Sequence, residues 1–373
     1  MLGPAKKEVL RVQGNDNVIR MLDHWRQEAE KGRLNAIAVV AADGQTMGVD
    51  YTTIIGTTSE YMLYFGLKSL ATKLEDHIWK RQAPQAKVNL AAGMDPSKQV
   101  FNAANLTMGF DFLAWLVCAE MRRMKHCGQP PLHVAIHHEA GFLDNPNYKY
   151  NRMMHDHVML PLIDMIGAVK ADHIGDDFLW PPSSTFADAV EFYKQGVPLP
   201  RFEPNKYAQM RMGHKHYKKA VTITLREAAH WPQRNSDLKI WGEIAEWLRQ
   251  RGETVLIVRD TEKAHESFGT FETVPEASSD INCRAALYKA AKLNFFVSNG
   301  PCTLDWFCSD SPSITYVPLS MTDGYKCSQP SWWLPSHGID AGEQFPWFEG
   351  TNKKIVWEEP TIEKIERDYA ETI

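Results

Sequence analysis

The feature that most constrains the fold is an alternation of short apolar runs with helical segments over residues 220–318. Four runs have the β-branched and aromatic composition of strands: residues 220–225, 254–258, 294–298 and 313–318. Between them, apolar residues recur at helical spacing in residues 237–251, 281–293 and 303–309. Strands that alternate with helices pair in parallel, because each helix returns the chain to the edge where it started. The pattern therefore predicts a doubly wound parallel sheet.

The same logic extends to the middle of the chain. Predicted strands at 100–104 and 132–137 are followed or separated by predicted helices at 108–127, 151–167 and 186–195. Three prolines, Pro198, Pro200 and Pro204, then mark a boundary. We predict two Rossmann-like α/β domains, residues 98–205 and residues 206–373.

The first 82 residues follow a different pattern. Helical spacing before Gly32, a β-hairpin at 34–41 and 47–55, and a second amphipathic helix at 59–81 predict a small α-β-β-α module. Residues 83–97 lose periodicity and collect proline, glycine, glutamine and alanine, which is typical of a linker.

Bulk properties exclude several classes of protein. A chain of 373 residues is longer than one core usually organises, and its formal charge of −5 gives no broad positive field for nucleic acid or an anionic membrane. No apolar stretch is long enough for a membrane span, and the first residues lack a signal-peptide core, so we expect a cytoplasmic protein. The six cysteines form no CxxC pair, which favours buried free thiols.

Two loops at predicted strand ends are candidates for binding a phosphate. Arg226 falls just past the strand at 220–225, and Arg234 lies ahead of the next helix; an arginine there can donate two hydrogen bonds to a diphosphate. The alternative for both is an ordinary surface salt bridge.

The second loop follows the strand at 294–298. Ser298, Asn299, Gly300, Pro301 and Thr303 combine a turn-forming glycine with a proline suited to a first helical position. Unpaired amides at a helix start attract anions, so this turn is a candidate phosphate site or, alternatively, a plain capped turn.

These two loops carry a resemblance to a known family. The segment 298–304 with 311–315, and 222–226 with Trp231-Pro232 before the strand at 254–258, resemble the donor half of heptosyltransferase-like glycosyltransferases of the GT-B type. The likeness covers about residues 220–319. Residues 98–318, 342–347 and 354–358 are also similar to uncharacterised bacterial glycosyltransferase-like proteins, and the first 82 residues resemble small modules of bacterial and phage proteins.

The resemblance implies an activity. Residues 206–373 would bind a nucleotide-diphosphate sugar, and Arg226 with the amides near Asn299, Gly300 and Thr303 would neutralise the leaving diphosphate. The acceptor would be a glycan, lipid or protein, and no further cofactor is expected. The chain has no Asp-x-Asp triplet, which favours metal independence.

A general base would come from residues 98–205. Asp111, at the start of the helix after the first strand, is the positional candidate, and His138 and Glu139, past the second strand, are rivals. A capping role is the alternative for Asp111.

Two other functional hypotheses stay open. A GT-B-like fold without turnover could serve as a structural or binding protein, for example in a phage particle, with assembly through residues 1–82. A metal-dependent hydrolase could use the clusters His137-His138-Glu139, His155-Asp156-His157 and His214-Lys215-His216, although neighbours on a strand point to opposite faces. Four tryptophans near the C-terminus could line a pocket or simply pack on the sheet: Trp332, Trp333, Trp347 and Trp357.

Overall fold

The chain forms two compact units, Met1–Gln82 and Ala83–Ile373. The computed structural model describes residues 38–41, 50–53, 94–103, 109–126, 130–138, 142–143, 149–181, 185–229, 232–319 and 329–373. In the first unit, β1 (Ala38–Ala41) and β2 (Asp50–Thr53) pair antiparallel, as the predicted hairpin requires. The two predicted helices of this unit lie outside the described residues.

The N-terminal sheet is parallel, with the described strands in the order β5-β4-β3-β6. They are β3 (Asp95–Asn102), β4 (His133–His137), β5 (Val169–Lys170) and β6 (Phe178–Leu179). β3 begins inside the segment predicted as a linker, because the Asp95 amide donates a hydrogen bond to the Asp177 carbonyl at 2.9 Å. The last residues of the predicted linker, 95–97, therefore belong to the sheet.

Helices cover one face of this sheet. They are α1 (Phe110–His126), α2 (Lys149–Met154), a π-helical turn (His155–Met159), α3 (Leu160–Met165) and α4 (Phe186–Lys194). Along β4 the side chains alternate: Val134 joins the large core with α1, whereas Ala135 lies with Val100 and Phe178 in a small cluster apart from it.

The C-terminal sheet is also parallel, in the order β12-β11-β10-β7-β8-β9 among the described residues. Its strands are β7 (Ala220–Thr224), β8 (Thr254–Val258), β9 (Glu272–Thr273), β10 (Leu293–Val297), β11 (Ser313–Tyr316) and β12 (Lys353–Val356). The strand order reverses between β7 and β10, which are neighbours although β8 and β9 separate them in sequence. This reversal is the switch point of a doubly wound sheet.

Both faces of the C-terminal sheet are covered. The helices are α5 (Lys206–Met212), α6 (Lys215–Lys218), α7 (Leu238–Gln250), α8 (Pro275–Ser279), α9 (Ile281–Ala290), α10 (Gly300–Cys308), α11 (Pro330–His337) and α12 (Ile362–Thr372). Val221 and Ile223 face α7, and between them Thr222 points to the other side, where its hydroxyl donates to the Asn294 side chain at 2.6 Å. The two parallel sheets with flanking helices confirm the predicted α/β fold class.

One hydrophobic core joins the two sheets. It contains Phe101 and Trp115 beside the N-terminal sheet, and Phe296 and Leu304 from β10 and α10. Helix α1 is buried from Phe112 to Ala119, because it packs on β3, α4 and α10. The sheets thus share one core within the unit Ala83–Ile373, across the boundary predicted at residue 205.

Between β11 and β12, the chain packs against α4. Trp333 on α11 is 2% exposed, and Trp347 in a short 3-10 turn (Pro346–Phe348) stacks on Phe345 at 4.6 Å between ring centroids. Trp333 also contacts Trp357 at 4.6 Å. These tryptophans pack in the core, which was the alternative to a pocket lining. No helix in the described part of the chain is both long enough and apolar enough to span a bilayer.

Candidate functional site

The candidate site lies where the strand order of the C-terminal sheet reverses. β7 and β10 are parallel neighbours, so their carboxyl ends meet at one edge. Arg226 follows β7, and Ser298 follows β10. Loops at such a reversal leave a crevice that commonly binds ligands.

Arg226 is held firmly at this edge. Two hydrogen bonds to Ser236 fix its backbone. The Arg226 N–H donates to the Ser236 hydroxyl at 2.9 Å, and the Arg226 carbonyl accepts the Ser236 N–H at 2.8 Å. Its guanidinium donates to the Asn235 side chain, and the residue is only 5% exposed. The structure therefore places a buried positive charge beside the ends of β7 and β10.

Arg234 connects the two loops. Its guanidinium donates a hydrogen bond of 3.0 Å to the Ser298 carbonyl, across the reversal point. The structure thus brings together three of the residues that the sequence singled out, Arg226, Arg234 and Ser298. Helix α7 begins after Asp237, whose carboxylate accepts hydrogen bonds from Lys239 and Ile240 amides.

The turn after β10 is a capped helix start. Asn299 is the N-cap of α10, and its side-chain oxygen accepts the Cys302 N–H at 3.1 Å. Pro301 occupies the first turn, and the Thr303 hydroxyl donates to the Gly300 carbonyl at 2.6 Å. The helix begins at Gly300, three residues before its predicted start at 303.

Asn299 leaves one donor unused. The residue is 9% exposed, and its side-chain Nδ2 is buried with no hydrogen-bond partner among the described residues. A buried amide nitrogen without an acceptor is costly, so this group is a candidate to pair with a ligand or ion.

Gly300 is also required by close packing between two helices. A Cβ on this residue would lie 2.2 Å from Phe110 Cδ2, at the start of α1. The sequence suggested a glycine for a tight turn, whereas the structure requires it because two helix starts approach closely. Phe110 covers one side of the predicted phosphate cradle in this structure.

The candidate bases lie on the side of the N-terminal sheet. Asp111 is exposed in the first turn of α1, next to Phe110. His138 follows β4, and its ring lies 6.2 Å from Phe142 and 6.4 Å from His155. His155 Nδ1 lies 2.6 Å from Asp156 Oδ1. Glu139 lies outside the described residues.

A buried ion pair at the same edge escaped the sequence analysis. Arg259, just after β8, makes a two-pronged contact with the Glu227 carboxylate, and both side chains are under 10% exposed. The hydrogen bonds to Glu227 raise the pKa of Arg259. Its Nη1 also donates to the Ser267 carbonyl at 2.9 Å. The sequence shows Glu227 next to Arg226, but it does not show that Glu227 pairs with Arg259, which follows the neighbouring strand.

Cys302 lies in the first turn of α10, beside the candidate site. Burial raises the pKa of Cys302 to about 12, so its thiol stays protonated and is a poor nucleophile. Within the described stretches, no group of three or more His, Cys, Asp or Glu side chains is arranged to hold a metal ion.

Comparisons with known proteins give matches to solved structures alone. No protein-family model matches the chain, and no curated protein matches it. Among solved structures, E. coli heptosyltransferase WaaC with ADP is similar at 12% identity and a TM-score of 0.41, over 74% of this chain and 100% of that one.

Two further structures are similar. The glycosyl transferase family 9 structure from Veillonella parvula has 8% identity and a TM-score of 0.42, over 74% of this chain and 91% of its own. E. coli ADP-heptose lps heptosyltransferase II has 8% identity and a TM-score of 0.31, over 47% and 54%. At these values the similarity assigns no role to any residue of this chain.

Proposed function

We propose that the chain is a glycosyltransferase that takes a sugar from a nucleotide-diphosphate donor and binds the diphosphate at the β7–β10 reversal. The unused Asn299 Nδ2 carries this proposal, because it is a buried donor that lacks an acceptor. A phosphate oxygen is such an acceptor. The start of α10 and the charges of Arg226 and Arg234 make the same place favourable for an anion.

The chemistry would depend on charge neutralisation. When the bond from the sugar to the diphosphate breaks, negative charge develops on the leaving oxygen, and fixed donors that face it lower the barrier. Arg226, Arg234 and the Asn299 amide would supply those donors without a metal ion. The acceptor hydroxyl would lose its proton to Asp111, or to His138 or Glu139.

Phe110 must then shift when the donor binds. Its ring lies against Gly300 and covers the helix start, so the described structure corresponds to a covered site. Phe110 lies at the first position of α1, directly after Gly109, whose φ of 108° is a glycine conformation. A side-chain rotation at this helix end would uncover Asn299.

The contact between Phe110 and Gly300 also favours a second candidate function. If Phe110 covers the turn permanently and Arg226 serves only to hold Asn235, the fold is a non-catalytic scaffold or binding protein. The phage or virion placement considered with that alternative has no support in the described structure. Cytoplasmic location and assembly through residues 1–82 likewise stay predictions.

Nucleotide binding tests the proposal. UDP, GDP, ADP and CMP are titrated by calorimetry and thermal shift, since a ligand that binds the folded state raises its melting temperature. Arg226→Ala should weaken nucleoside-diphosphate binding by about 1.5 to 3 kcal/mol, the range for a charge-assisted hydrogen bond. Arg201→Ala, which removes an exposed arginine paired with Asp310, should leave binding unchanged.

Asn299→Asp is the sharper variant. An aspartate keeps the oxygen that caps α10 but replaces the unused donor with an anionic oxygen, so it should repel phosphate while the helix stays capped. Asn205→Asp makes the same change at the start of α5, where Asn205 accepts the Ala208 N–H at 2.9 Å, and should bind as wild type. Binding by Asn299→Asp at wild-type affinity, or no binding of any nucleotide by wild type, would favour the scaffold.

A further inference from the structure

The α7 groove, about 650 Å³ in volume, runs along the outer side of α7, and no residue of the candidate diphosphate site lines it. Its apolar lining comes from α7, from the turn before β9 and from the start of α12. The apolar side chains are Leu238, Trp247, Phe268, Phe271 and Ile362. The groove is therefore a surface feature that the proposed transfer reaction does not use.

A glycine inside α7 opens this groove. A Cβ on Gly242 would meet Phe268 Cζ at 3.9 Å and nothing nearer, so packing within the described residues does not require a glycine here. A glycine inside a helix costs about 0.5 to 1 kcal/mol relative to alanine. Gly242 lies on the same stripe of α7 as Lys239 and Glu246, which also line the groove. Its missing side chain thus leaves a gap that a side chain of another molecule can fill.

The rim of the α7 groove carries more negative than positive charge. Glu243 and Glu246 line the groove, and Lys239 is the only cation among its lining residues. Glu246 pairs with Arg249 at 2.6 Å, whereas Glu243 is exposed and makes no ion pair within the described part of the chain. Glu243 is therefore available to a cation from another molecule.

Two further carboxylates lie at the end of the groove where α7 and α12 begin. Asp237 is the N-cap of α7, and Glu359 lies three residues before Ile362. Burial raises the pKa of Glu359; the Lys364 ammonium opposes this rise, and the negative charge of Asp237 adds to it. Like charges held within range of each other favour a cationic partner.

Helix α5 presents the complementary combination. Tyr207 is 59% exposed and Met210 is 75% exposed, and their spacing of three residues places them side by side on one face of the helix. On the other face, Ala208 and Met212 are buried in a cluster with residues of α9. Two large side chains thus protrude from the surface.

The surroundings of these two side chains are basic. Residues 206–219 contain five Lys and Arg residues and no Asp or Glu. Arg211 pairs with Glu276. Four exposed lysines make no ion pair among the residues that the structure describes: Lys206, Lys215, Lys218 and Lys219. Together with Tyr207 and Met210 these lysines form the α5 knob, which combines apolar surface with unpaired positive charge.

The α5 knob and the α7 groove lie on opposite faces of the C-terminal sheet. Helix α5 shares a hydrophobic cluster with Leu256 and Val258 of β8, whereas α7 shares one with Val255 and Ile257 of the same strand. Adjacent side chains of a strand point to opposite faces. A chain cannot place its own knob in its own groove, so these two surfaces can meet only between copies.

We propose that the α5 knob of one copy docks in the α7 groove of a second copy. Met210 and Tyr207 fill the gap above Gly242, and the lysines face the carboxylates of the rim. Because the contact joins two different surfaces, a bound pair still exposes one knob and one groove, so assembly continues beyond a dimer. An anionic bilayer or a nucleic acid would leave the groove open, and the formal charge of −5 opposes both.

Sedimentation velocity on the full chain, without any nucleotide, tests this proposal independently of the proposed function. The interface is small, so association should be weak, and the concentration series extends to about 200 µM. Wild type should form species larger than a dimer as the concentration rises. Salt at about 0.5 M should reduce them, because exposed charges are screened. A chain that stays monomeric throughout the series would overturn the proposal.

Two variants each remove one of the surfaces. Met210→Asp places a carboxylate on the knob, and Gly242→Arg fills the groove with a cation that repels the lysines, while arginine also favours the helix over glycine. Each variant alone should be monomeric throughout the series. Leu334→Asp makes a matched change at an exposed leucine of α11 and should associate as wild type does. Undiminished association of either surface variant would contradict the proposal.

An equimolar mixture of Met210→Asp and Gly242→Arg gives the sharpest result. The first variant keeps an intact groove and the second an intact knob, so one contact per pair remains. The mixture should form a heterodimer and nothing larger, which would also show that both variants are folded. Lys215→Glu combined with Lys218→Glu replaces Met210→Asp if that variant unfolds. A monomeric mixture of folded variants would overturn the proposal, as would binding of a monomeric chain to phosphatidylglycerol vesicles.

Discussion

Gly300 is the residue at which packing between the two sheets and the candidate site meet. Its Cα lies so close to Phe110 that a methyl group would approach Cδ2 to 2.2 Å, Cγ to 2.4 Å and Cβ to 2.8 Å. Contacts this short force a shift of α1 or α10. The close approach of α1 and α10 at the site therefore requires a residue without a side chain at position 300.

Gly300→Ala should destabilise the fold by about 1 to 3 kcal/mol, the usual cost of overpacking. In a Phe110→Ala background the additional loss should be smaller, because the two nearest ring atoms are gone. Urea unfolding of the four variants in a double-mutant cycle measures the coupling. Gly242→Ala is the control: its nearest neighbour would be Phe268 at 3.9 Å, so alanine fits and should be neutral or stabilising. Simple additivity of the two substitutions would contradict the contact.

His337 makes stability depend on pH. Burial among aromatic rings lowers the pKa of His337 to about 3, and its Nδ1 lies 2.7 Å from the Ser336 hydroxyl. An unfolded histidine takes up a proton below about pH 6.5, whereas the folded one stays neutral. Protonation of His337 therefore costs no stability above pH 6.5, and it lowers the free energy of unfolding as the pH falls from 6.5 towards 3.

The free energy of unfolding should fall by up to about 1.4 kcal/mol per pH unit, the limit for the uptake of one proton. His337→Gln cannot take up that proton, so its stability should fall less between pH 6.5 and pH 4 than that of wild type. Urea unfolding across this range gives the difference in slope. Equal slopes in wild type and His337→Gln would show that His337 is not the group responsible.

At the scale of elements, a buried ion pair joins α10 to β12. Lys353 Nζ lies 2.6 Å from the Asp305 carboxylate and also donates to the Asp305 carbonyl at 3.0 Å. Asp305 is fully buried, and the Asn294 amide from β10 lies 3.3 Å from its other oxygen. Burial raises the pKa of Asp305, and the Lys353 ammonium opposes this effect.

Lys353→Met should cost about 3 to 5 kcal/mol, because it leaves a buried carboxylate without its cation. Adding Asp305→Asn should recover most of that loss, since the remaining group is neutral. Lys364→Met breaks the exposed pair with Glu358 and should cost no more than about 1 kcal/mol. Chemical unfolding measures all three variants. A double variant as unstable as Lys353→Met would mean that the lost packing of Lys353 dominates.

The elements show what the sequence could predict. β8 begins and ends at Thr254 and Val258 as expected, because a short apolar run bounded by glycine on one side has few alternatives. The strands β5, β6 and β9 have two residues each, too few for any periodic pattern. Helix α11 contains Pro335 and was not predicted, since its stability comes from packing on distant residues.

The sequence likewise predicts one part of the candidate site and not the rest. Arg226 and Ser298 could be placed at one sheet edge, because parallel strands carry their following loops to the same side. The contact of Phe110 with Gly300, the Arg259–Glu227 pair and the unused Asn299 donor could not. Each depends on the packing of segments that are distant in sequence or on the partner of a side-chain hydrogen bond. The spacing of residues along the chain predicts neither.

At the scale of the molecule, the shared core determines how the unit Ala83–Ile373 unfolds. Phe101 and Trp115 lie in the same cluster as Phe296 and Leu304, and further contacts follow between Arg201 and Asp310 and between Phe202 and Phe307. Two sheets that bury the same apolar surface lose it together. We therefore expect one cooperative transition for this unit, although its sequence reads as two domains.

Native-state hydrogen exchange on the full chain tests this expectation. The slowest amides of β4 and β10 should exchange with the same free energy, because both require opening of the common core. Exchange free energies that differ by more than about 2 kcal/mol would indicate sheets that open separately, since subglobal units exchange independently. That result would favour the boundary at residue 205 as a true domain boundary.

The packing of residues 333–347 against helices earlier in the chain has a consequence for synthesis. Trp333, Phe345 and Trp347 fill the core beside α1 and α4, although they come much later in the chain than either helix. A growing chain usually folds its domains in order as they leave the ribosome. Here β3 and β4 must wait, with apolar surface uncovered, until Trp333, Phe345 and Trp347 emerge, so the nascent chain would depend on chaperones for longer than its separate segments suggest.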